Sequence, residues 1–344
     1  MRDSEIVTEL PDGWLRVKVP LPFSLKWVNS YLIPEGPAPD SGSGSKSRYT
    51  IVDPGLRTDE AVRIWDETLQ DRAIEWRDVV RIVLTHQHPD HYGLAGYMQE
   101  KSGAPVFITE RSHRYARRLW GGGDEYGQSL RSLFLSHGMP AGLMRDINDN
   151  LASFVARVSP QPEVTYMRAG GKLTMNDREW ELIDAPGHAY GAVCLYDKSR
   201  RWMICGDQVL PRITPNVSVV PGEEGDPLAD FLGSLEQLQT YDVELALPGH
   251  RDPFPNFRER IGELRSFHAR RLADMADRLS ERPLTAFELC EAMFGSQLRG
   301  NPHNLRFAMA ETLAHLYHLE LRGSASTRTE GGLIRYFAER QGER

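Results

Sequence analysis

The chain has 344 residues, with 41 Lys and Arg against 48 Asp and Glu, a formal charge of −7. At 40% hydrophobic and 26% charged residues it is neither disordered nor membrane-spanning, and no stretch approaches the ~18 consecutive apolar residues that a span needs. The acidic balance argues against a dedicated nucleic-acid binder, and the length allows one large domain or one with a smaller companion.

In chain order, the opening residues show no apolar signal stretch. Trp14–Val19 alternates as a strand, and Val28–Ile33 and Tyr49–Val52 are β-type runs, separated by a flexible loop over Pro37–Arg48. Thr58–Gln70 has Ala61, Ile64, Trp65 and Leu69 at helical spacing. Val79–Leu84 has the β-branched character of a strand buried on both faces. About 109–158 is a helical insertion interrupted at Gly121–Gly123; its apolar set (Leu130, Leu133, Phe134, Met139, Leu143, Met144, Phe154) is expected as local core, with a cap over a site as the sharper alternative. Glu179–Ile183, Ala192–Tyr196 and Arg201–Cys205 follow as strands, then a helix over Leu228–Gln239 and a strand over Val243–Leu247. Strands and helices interleave, which predicts a layered α/β architecture.

A boundary is expected near Asn256. Residues 1–256 carry a net −9, whereas 257–344 carry a net +2 with arginine as their only basic residue. The second part reads as a helix over Phe257–Leu279 stopped before Pro283, then a helix opened by the Thr285–Glu288 capping box and ended at Gly295. A third helix is striped by Leu305, Met309, Leu313, Leu316 and Leu319 and stops at Gly323. A hairpin of Ser326–Thr329 and Leu333–Phe337 closes the chain, giving a small helical, winged-helix-like unit. Cys194, Cys205 and Cys290 lack the spacing of a disulfide framework, so the expected address is the reducing cytoplasm.

The decisive string is Thr85-His86-Gln87-His88-Pro89-Asp90-His91, directly after the strand Val79–Leu84. Three imidazoles and a carboxylate sit at a strand end, where ligands of layered α/β proteins collect. Extended backbone sends His86 and His88 to one side, towards a single metal ion, and the next turn offers Asp90 and His91 to a second. Imidazole with carboxylate suits zinc and tolerates iron or manganese. His188 in Pro186-Gly187-His188, Asp207 in Gly206-Asp207 and His250 in Pro248-Gly249-His250 each follow a strand and a glycine turn. Of the eleven histidines, His113, His137, His268, His303, His315 and His318 are expected to be surface or satisfied core residues.

The set THQHPDH, PGH, GD and PGH, in this order, resembles the metallo-β-lactamase superfamily over about residues 14–256, as do Asn29–Ile33 and Asp53-Pro54-Gly55. The resemblance implies an αββα sandwich with two metal ions at one edge. His86, His88 and His188 would hold one ion, Asp90, His91 and His250 the other, and Asp207 would bridge them. Asp53 in such proteins supports the structure rather than the chemistry.

Departures narrow the branch. A histidine at His88 excludes the flavodiiron pattern, which has glutamate there. The zinc β-lactamases proper lack an aspartate matching Asp207, and Asp207 lies too close to His250 for the inserted domain of β-CASP nucleases. Glyoxalase II and similar thioesterases, lactonases, ribonuclease Z-like enzymes and lactamase-like hydrolases ending in a winged helix remain. The segment Ala310–Leu316 looks most like the last group, which includes an endoribonuclease. The expected activity is hydrolysis of a thioester or related acyl ester, with phosphodiester cleavage or lactone opening as alternatives. Two ions roughly 3.5–4 Å apart can share one water and make it a hydroxide near neutral pH. Asp90 would manage its proton, and the hydroxyl of Tyr190 or Tyr92 would face the developing oxyanion. The loop Pro211–Val220, with Arg212, Asn216 and Ser218, is expected to line the pocket. A small acyl ester is the expected partner, without membrane attachment; nucleic acid is disfavoured by the nearly balanced charge of the last part, which is expected to pack on the sandwich, wall the pocket or mediate a homodimer.

Overall fold

A computed structural model describes residues 6–37, 47–223 and 225–338. Most of the loop expected over Pro37–Arg48 therefore lies outside the described residues. Strands β1 (Val7–Glu9), β2 (Leu15–Pro20), β3 (Trp27–Pro37), β4 (Ser47–Val52), β5 (Val79–Val83), β6 (Val106–Thr109) and β7 (Val164–Met167) lie side by side in that order. The first four pair antiparallel and β4 to β7 pair parallel. A second sheet, ordered β12-β11-β10-β9-β8, holds β8 (Lys172–Met175), β9 (Arg178–Asp184), β10 (Val193–Asp197), β11 (Trp202–Gly206) and β12 (Leu245–Pro248).

The sheets close on an apolar layer in which Tyr31, Ile33, Val52 and Val83 of the first meet Trp180, Leu182, Leu195 and Ile204 of the second. Trp14, fully buried, lies 5.6 Å from Trp180 and edge-on to Trp202 at 5.4 Å. Burial of such aromatic area contributes several kcal/mol per residue. Helices α1 (Asp59–Asp71), α2 (Pro89–Tyr92), α3 (Ala95–Ser102) and α4 (Glu110–Trp120) lie against the outer face of the first sheet, with Trp65, Met98 and Ala116 in one cluster with Val17, Ile51 and Ile82. Two of the longer helices start where a side chain satisfies a free N–H: Thr58 accepts from Ala61 and Thr109 from Ser112.

The outer face of the second sheet is covered by everything else. The insertion supplies α5 (Glu125–Ser136) and α6 (Ala141–Val155), then come α7 (Pro227–Leu238), α8 (Phe257–Glu281), α9 (Ala286–Phe294) and α10 (Pro302–Leu321). β13 (Leu284–Thr285), β14 (Ala325–Glu330) and β15 (Leu333–Ala338) form a small sheet in the order β13-β15-β14. The expected box at Thr285 and Glu288 caps α9, and α8 stops at Glu281 because Arg282 before Pro283 is extended. The sandwich is thus αββα, followed by a helical C-terminal region.

Two expectations need correction. Val79–Leu84 is not buried throughout: Arg81 reaches outwards to an ion pair with Glu35 at 2.9 Å. The last helix carries more than an apolar stripe, since Ala310, Glu311, Thr312, Ala314, His315 and His318 are buried too. α10 is enclosed because the insertion packs on it: Tyr126, Phe134, Met144 and Ile147 share one apolar cluster with Leu305, Met309 and Leu313. Among the described residues no helix is long and apolar enough to cross a membrane.

Candidate metal centre

Four strand ends deliver the chemistry to one edge. His86, His88, Asp90 and His91 follow β5, His188 follows β9, Asp207 follows β11, and His250 follows β12. Backbone staples hold this edge together: Val193 N–H donates to Thr85 O at 3.0 Å, Gly249 N–H to Gly206 O at 2.7 Å, and Asn29 N–H to Gly249 O at 2.6 Å. Tyr31 and the Asn29 amide both donate to Pro248 O, at 2.8 and 2.9 Å. Gly249 has to be glycine, because a Cβ there would stand 2.2 Å from Asp207 Oδ1 and 2.6 Å from His91 Cε1. Gly187 has φ +119 and presses on the Phe231 backbone, so it too admits no side chain.

Ligand-type atoms of His86, His88 and His188 lie within 4.8 Å of one another, and so do those of Asp90, His91 and His250. Asp207 lies between the groups: Oδ1 is 3.3 Å from His91 Nε2, while Oδ2 is 3.3 Å from His250 Nε2 and 3.7 Å from His188 Nε2. Asp90 Oδ2 is 3.2 Å from His250 Nε2, and His86 Nε2 is 3.1 Å from His88 Nδ1. All seven residues singled out in the sequence meet here.

The far nitrogen of four rings is engaged elsewhere, which aims the near one inward. His188 Nδ1–H donates to Asn216 O and His250 Nδ1–H to Trp27 O, each at 2.8 Å. Asp53 Oδ2 accepts from His91 Nδ1–H at 2.9 Å and from the Thr85 hydroxyl at 2.7 Å. Since Thr85 donates to a carboxylate, its oxygen is free to accept from His86 Nδ1–H at 2.9 Å. Asp53 therefore fixes one ring in each group, itself pinned by Thr85 N–H at 2.8 Å. Such carboxylate–imidazole contacts set tautomer and raise ligand basicity.

The donors fit divalent cations. Nε2 of His91, His188 and His250 and Oδ1 of Asp207 are buried without a hydrogen-bond partner, a cost that proteins rarely bear without a ligand. Burial and neighbouring imidazoles hold His86 well below its ordinary range and His88 down to about 3, and burial keeps His188 low, which favours the neutral form that binds metal. For His250 burial is outweighed by Asp207 and Asp90, which raise it to about 10, and His91 is raised by the same carboxylates and Asp53. Asp90, despite burial, is lowered to about 2 by His91 and His250, and Asp207 is lowered as well. The carboxylates thus favour positive charge at His91 and His250, a charge that a bound cation would supply in place of protons.

A cavity of ≈ 240 Å³ opens above the cluster, bordered by His88, Asp90, His188, Asp207 and His250. Its walls come from far along the chain: Phe23 and Leu25 before β3, Phe154 of α6, Leu210 and Ile213 after β11, and His303, Arg306 and Phe307 of α10. A smaller space of ≈ 50 Å³ adjoins along His88, His188, Asn216 and Arg306. Tyr190 borders only this smaller space, stacked on Tyr115 at 4.9 Å under the Arg111 guanidinium. Tyr92 is spent on a hydrogen bond to Gln161 at 2.8 Å, lines neither cavity and supplies no oxyanion donor. Of the expected loop, Asn216 and Ser218 line the cavities and exposed Arg212 does not. His303, expected at the surface or in a satisfied core, instead borders the cavity, stacked on Phe23 at 5.0 Å and Phe154 at 5.7 Å. Phe154 makes the insertion part of the wall as well as of the core. Sequence reasoning missed Thr85, Asn216 as an anchor of His188, and the whole α10 wall; only Thr85, inside the histidine string, carried a local signal.

A family model described as the metallo-beta-lactamase superfamily matches residues 29–250, and one described as the metallo-beta-lactamase-like C-terminal domain matches residues 272–339. The chain is 26% identical over 327 residues to the probable metallo-hydrolase YqjP of Bacillus subtilis (strain 168), covering 94% of this chain and 97% of that protein. It is 29% identical over 102 residues to the acyl-coenzyme A thioesterase MBLAC2 of Homo sapiens, covering 28% of this chain and 35% of that one. Among solved structures, a metallo-beta-lactamase family protein from Thermus thermophilus superposes with a TM-score of 0.82 at 32% identity, covering 96% of this chain and 99% of that one.

Proposed function

The chain belongs to the metallo-β-lactamase superfamily, and from that membership we propose that it is a dinuclear metal-dependent hydrolase of thioesters or related acyl esters. The observation that carries the reading is the pair of ligand groups on either side of Asp207, with Nε2 of His91, His188 and His250 and Oδ1 of Asp207 lacking a hydrogen-bond partner beneath a largely apolar cavity. In this reading His86, His88 and His188 would hold one cation and Asp90, His91 and His250 the other, with Asp207 available to both groups. Zinc suits this set of imidazoles and carboxylates. The bound cations supply Lewis acidity and lower the pKa of a captured water towards about 7.

The protein's own residues do the rest. Asp53, Thr85, Asn216 O and Trp27 O hold the imidazoles in the tautomer that binds metal. Asp90 borders the cavity and would orient the attacking water or pass on its proton. Phe23, Phe154, Leu210, Ile213 and Phe307 seat an apolar acyl chain and keep bulk water from the reacting carbonyl. The likeness to an acyl-coenzyme A thioesterase over part of the chain supports the thioester, and the cavity volume suits a small acyl group better than a nucleic-acid strand.

The test is thiol release from acyl-CoA and acyl-glutathione panels by zinc-loaded protein. Turnover is expected, falling by roughly 10²–10⁴-fold in Asp90→Asn. No thiol release from either panel, alongside rapid cleavage of lactones or single-stranded RNA, would overturn the thioester reading.

A further inference from the structure

Arg306 is the unusual member of the cavity wall. It lies early in α10 and borders both the larger and the smaller space, where these adjoin beside His88 and His188. Three other arginines of the C-terminal region face acids: Arg271 with Glu311, Arg299 with Glu291, Arg335 with Glu288. Arg306 has no such partner. Among the described residues it makes no ion pair, its Nε is buried without a hydrogen-bond acceptor, and its guanidinium lies 4.1 Å from the centre of the Phe307 ring. Burial pushes its pKa down, and only the Tyr126 hydroxyl works against that.

Arg306 is only half-buried, but a guanidinium shielded in part at a cavity wall without a counter-ion still carries a desolvation cost, and an arriving anion offsets it. Two planar N–H donors match the paired oxygens of a carboxylate or a phosphate. One cation balances one negative charge, which favours a carboxylate over a phosphate dianion. A carrier such as coenzyme A exceeds the ≈ 240 Å³ available and has to project outwards, so the group that reaches the inner junction of the cavities belongs to the acyl chain.

We propose that Arg306 binds a carboxylate at the far end of the acyl chain, so that the substrates are short (thio)esters of dicarboxylic acids. The apolar wall of Phe23, Phe154 and Phe307 then covers the methylene chain between carbonyl and carboxylate. This deepens the hydrolase reading and rests on it for the word substrate, although the binding of the anion can be measured without turnover.

Two arms test the proposal on the metal-loaded full chain, with Arg306→Met and the charge-keeping Arg306→Lys as variants. In the first, kcat/KM is compared for the S-succinyl and S-butyryl thioesters of N-acetylcysteamine. The wild type should favour succinyl by about tenfold or more, as expected for a charge-assisted hydrogen bond. In Arg306→Met the ratio should collapse to near unity, and Arg306→Lys should fall between. An arginine that stabilised the oxyanion, or merely the fold, would depress both substrates together and leave the ratio alone, which would overturn the proposal. In the second arm, intrinsic tryptophan fluorescence, to which Trp120 at the smaller space contributes, follows titration with monomethyl succinate and with neutral dimethyl succinate. Tighter binding of the anion, lost in Arg306→Met, supports the assignment even if neither thioester is cleaved, in which case the hydrolase reading alone has failed. Equal binding of monoester and diester by the wild type overturns the assignment whatever the turnover.

Discussion

Asp53→Asn should loosen both cations although Asp53 is not one of their proposed ligands. Asp53 sits at φ +52, a conformation that asparagine adopts as readily as aspartate, so the exchange alters charge and donors without adding backbone strain. The amide oxygen can keep the bond from Thr85 N–H, now 2.8 Å. The amide nitrogen then replaces the oxygen that accepts from Thr85 Oγ1 and His91 Nδ1. His91 has to turn its Nδ1 into an acceptor, which moves its proton to Nε2, the atom meant for metal. Thr85 has to accept from the amide and therefore donates to His86 Nδ1, moving that proton to Nε2 as well. Because His86 and His91 belong to different ligand groups, both sites lose a lone pair. Loss of such a supporting contact costs about 10–100-fold in affinity, or about 1.4–2.7 kcal/mol per ion. Competition with a chelator of known affinity, with elemental analysis of the bound metal, reads this directly. Retention of both ions within about threefold of wild-type affinity, well short of that range, would refute the coupling through Asp53.

Gly249→Ala should disturb the same centre sterically, because its Cβ would stand 2.2 Å from Asp207 Oδ1. A shift of that carboxylate by about 1 Å is expected to cost on the order of 10²-fold in kcat, checked by steady-state turnover on a variant with native circular dichroism; full activity would refute it. Acid should unfasten the C-terminal region. His268 of α8 and His315 of α10 are hydrogen-bonded at 3.0 Å, and burial, then mutual repulsion and Arg271 for His268, hold them near about 3 and about 4. The unfolded chain takes up protons near pH 6.5 that the folded pair refuses, so stability is full above that pH and falls as pH drops from ~6.5 towards ~4, by up to about 1.4 kcal/mol per pH unit for each imidazole. Melting curves at pH 7, 6 and 5 should show a shallower decline in His268→Asn/His315→Gln than in the wild type, and equal declines would refute this source of lability.

The centre was legible because each candidate ligand is locally marked. A strand end followed by a histidine or aspartate recurs four times, three of them with a turn glycine just before the ligand, and strand ends are the positions that topology brings to one edge. The strands β6, β7 and β8 were not legible: each has four residues, the apolar run Val106–Ile108 of β6 is too short to separate from the helix that follows, and β7 and β8 bury one residue each. Arg81 hid inside an otherwise apolar strand because its partner Glu35 is remote in sequence. The α10 wall was invisible for a similar reason. His303, Arg306 and Phe307 acquire meaning only through contacts with Phe23, Phe154 and the metal ligands, and no periodicity encodes which helix end will cover a site.

Those contacts also bear on what the C-terminal region is for. His188 is oriented by the backbone oxygen of Asn216, whose side-chain amide donates to Glu311 Oε2 at 2.8 Å and whose Oδ1 is held by Ser218. Glu311, of α10, is paired on its other oxygen with Arg271 of α8. An unbroken set of polar contacts thus runs from the long C-terminal helix to a ligand of the centre. Burial raises the Glu311 pKa and the Arg271 guanidinium opposes it, so the carboxylate depends on its partner to stay ionised. Removing one member of a buried pair typically costs about 3–5 kcal/mol, and here the loss would also free the segment that orients His188. The same helix places Arg306 and Phe307 on the cavity wall, so the C-terminal region both helps orient a candidate ligand and shapes the cavity beside it.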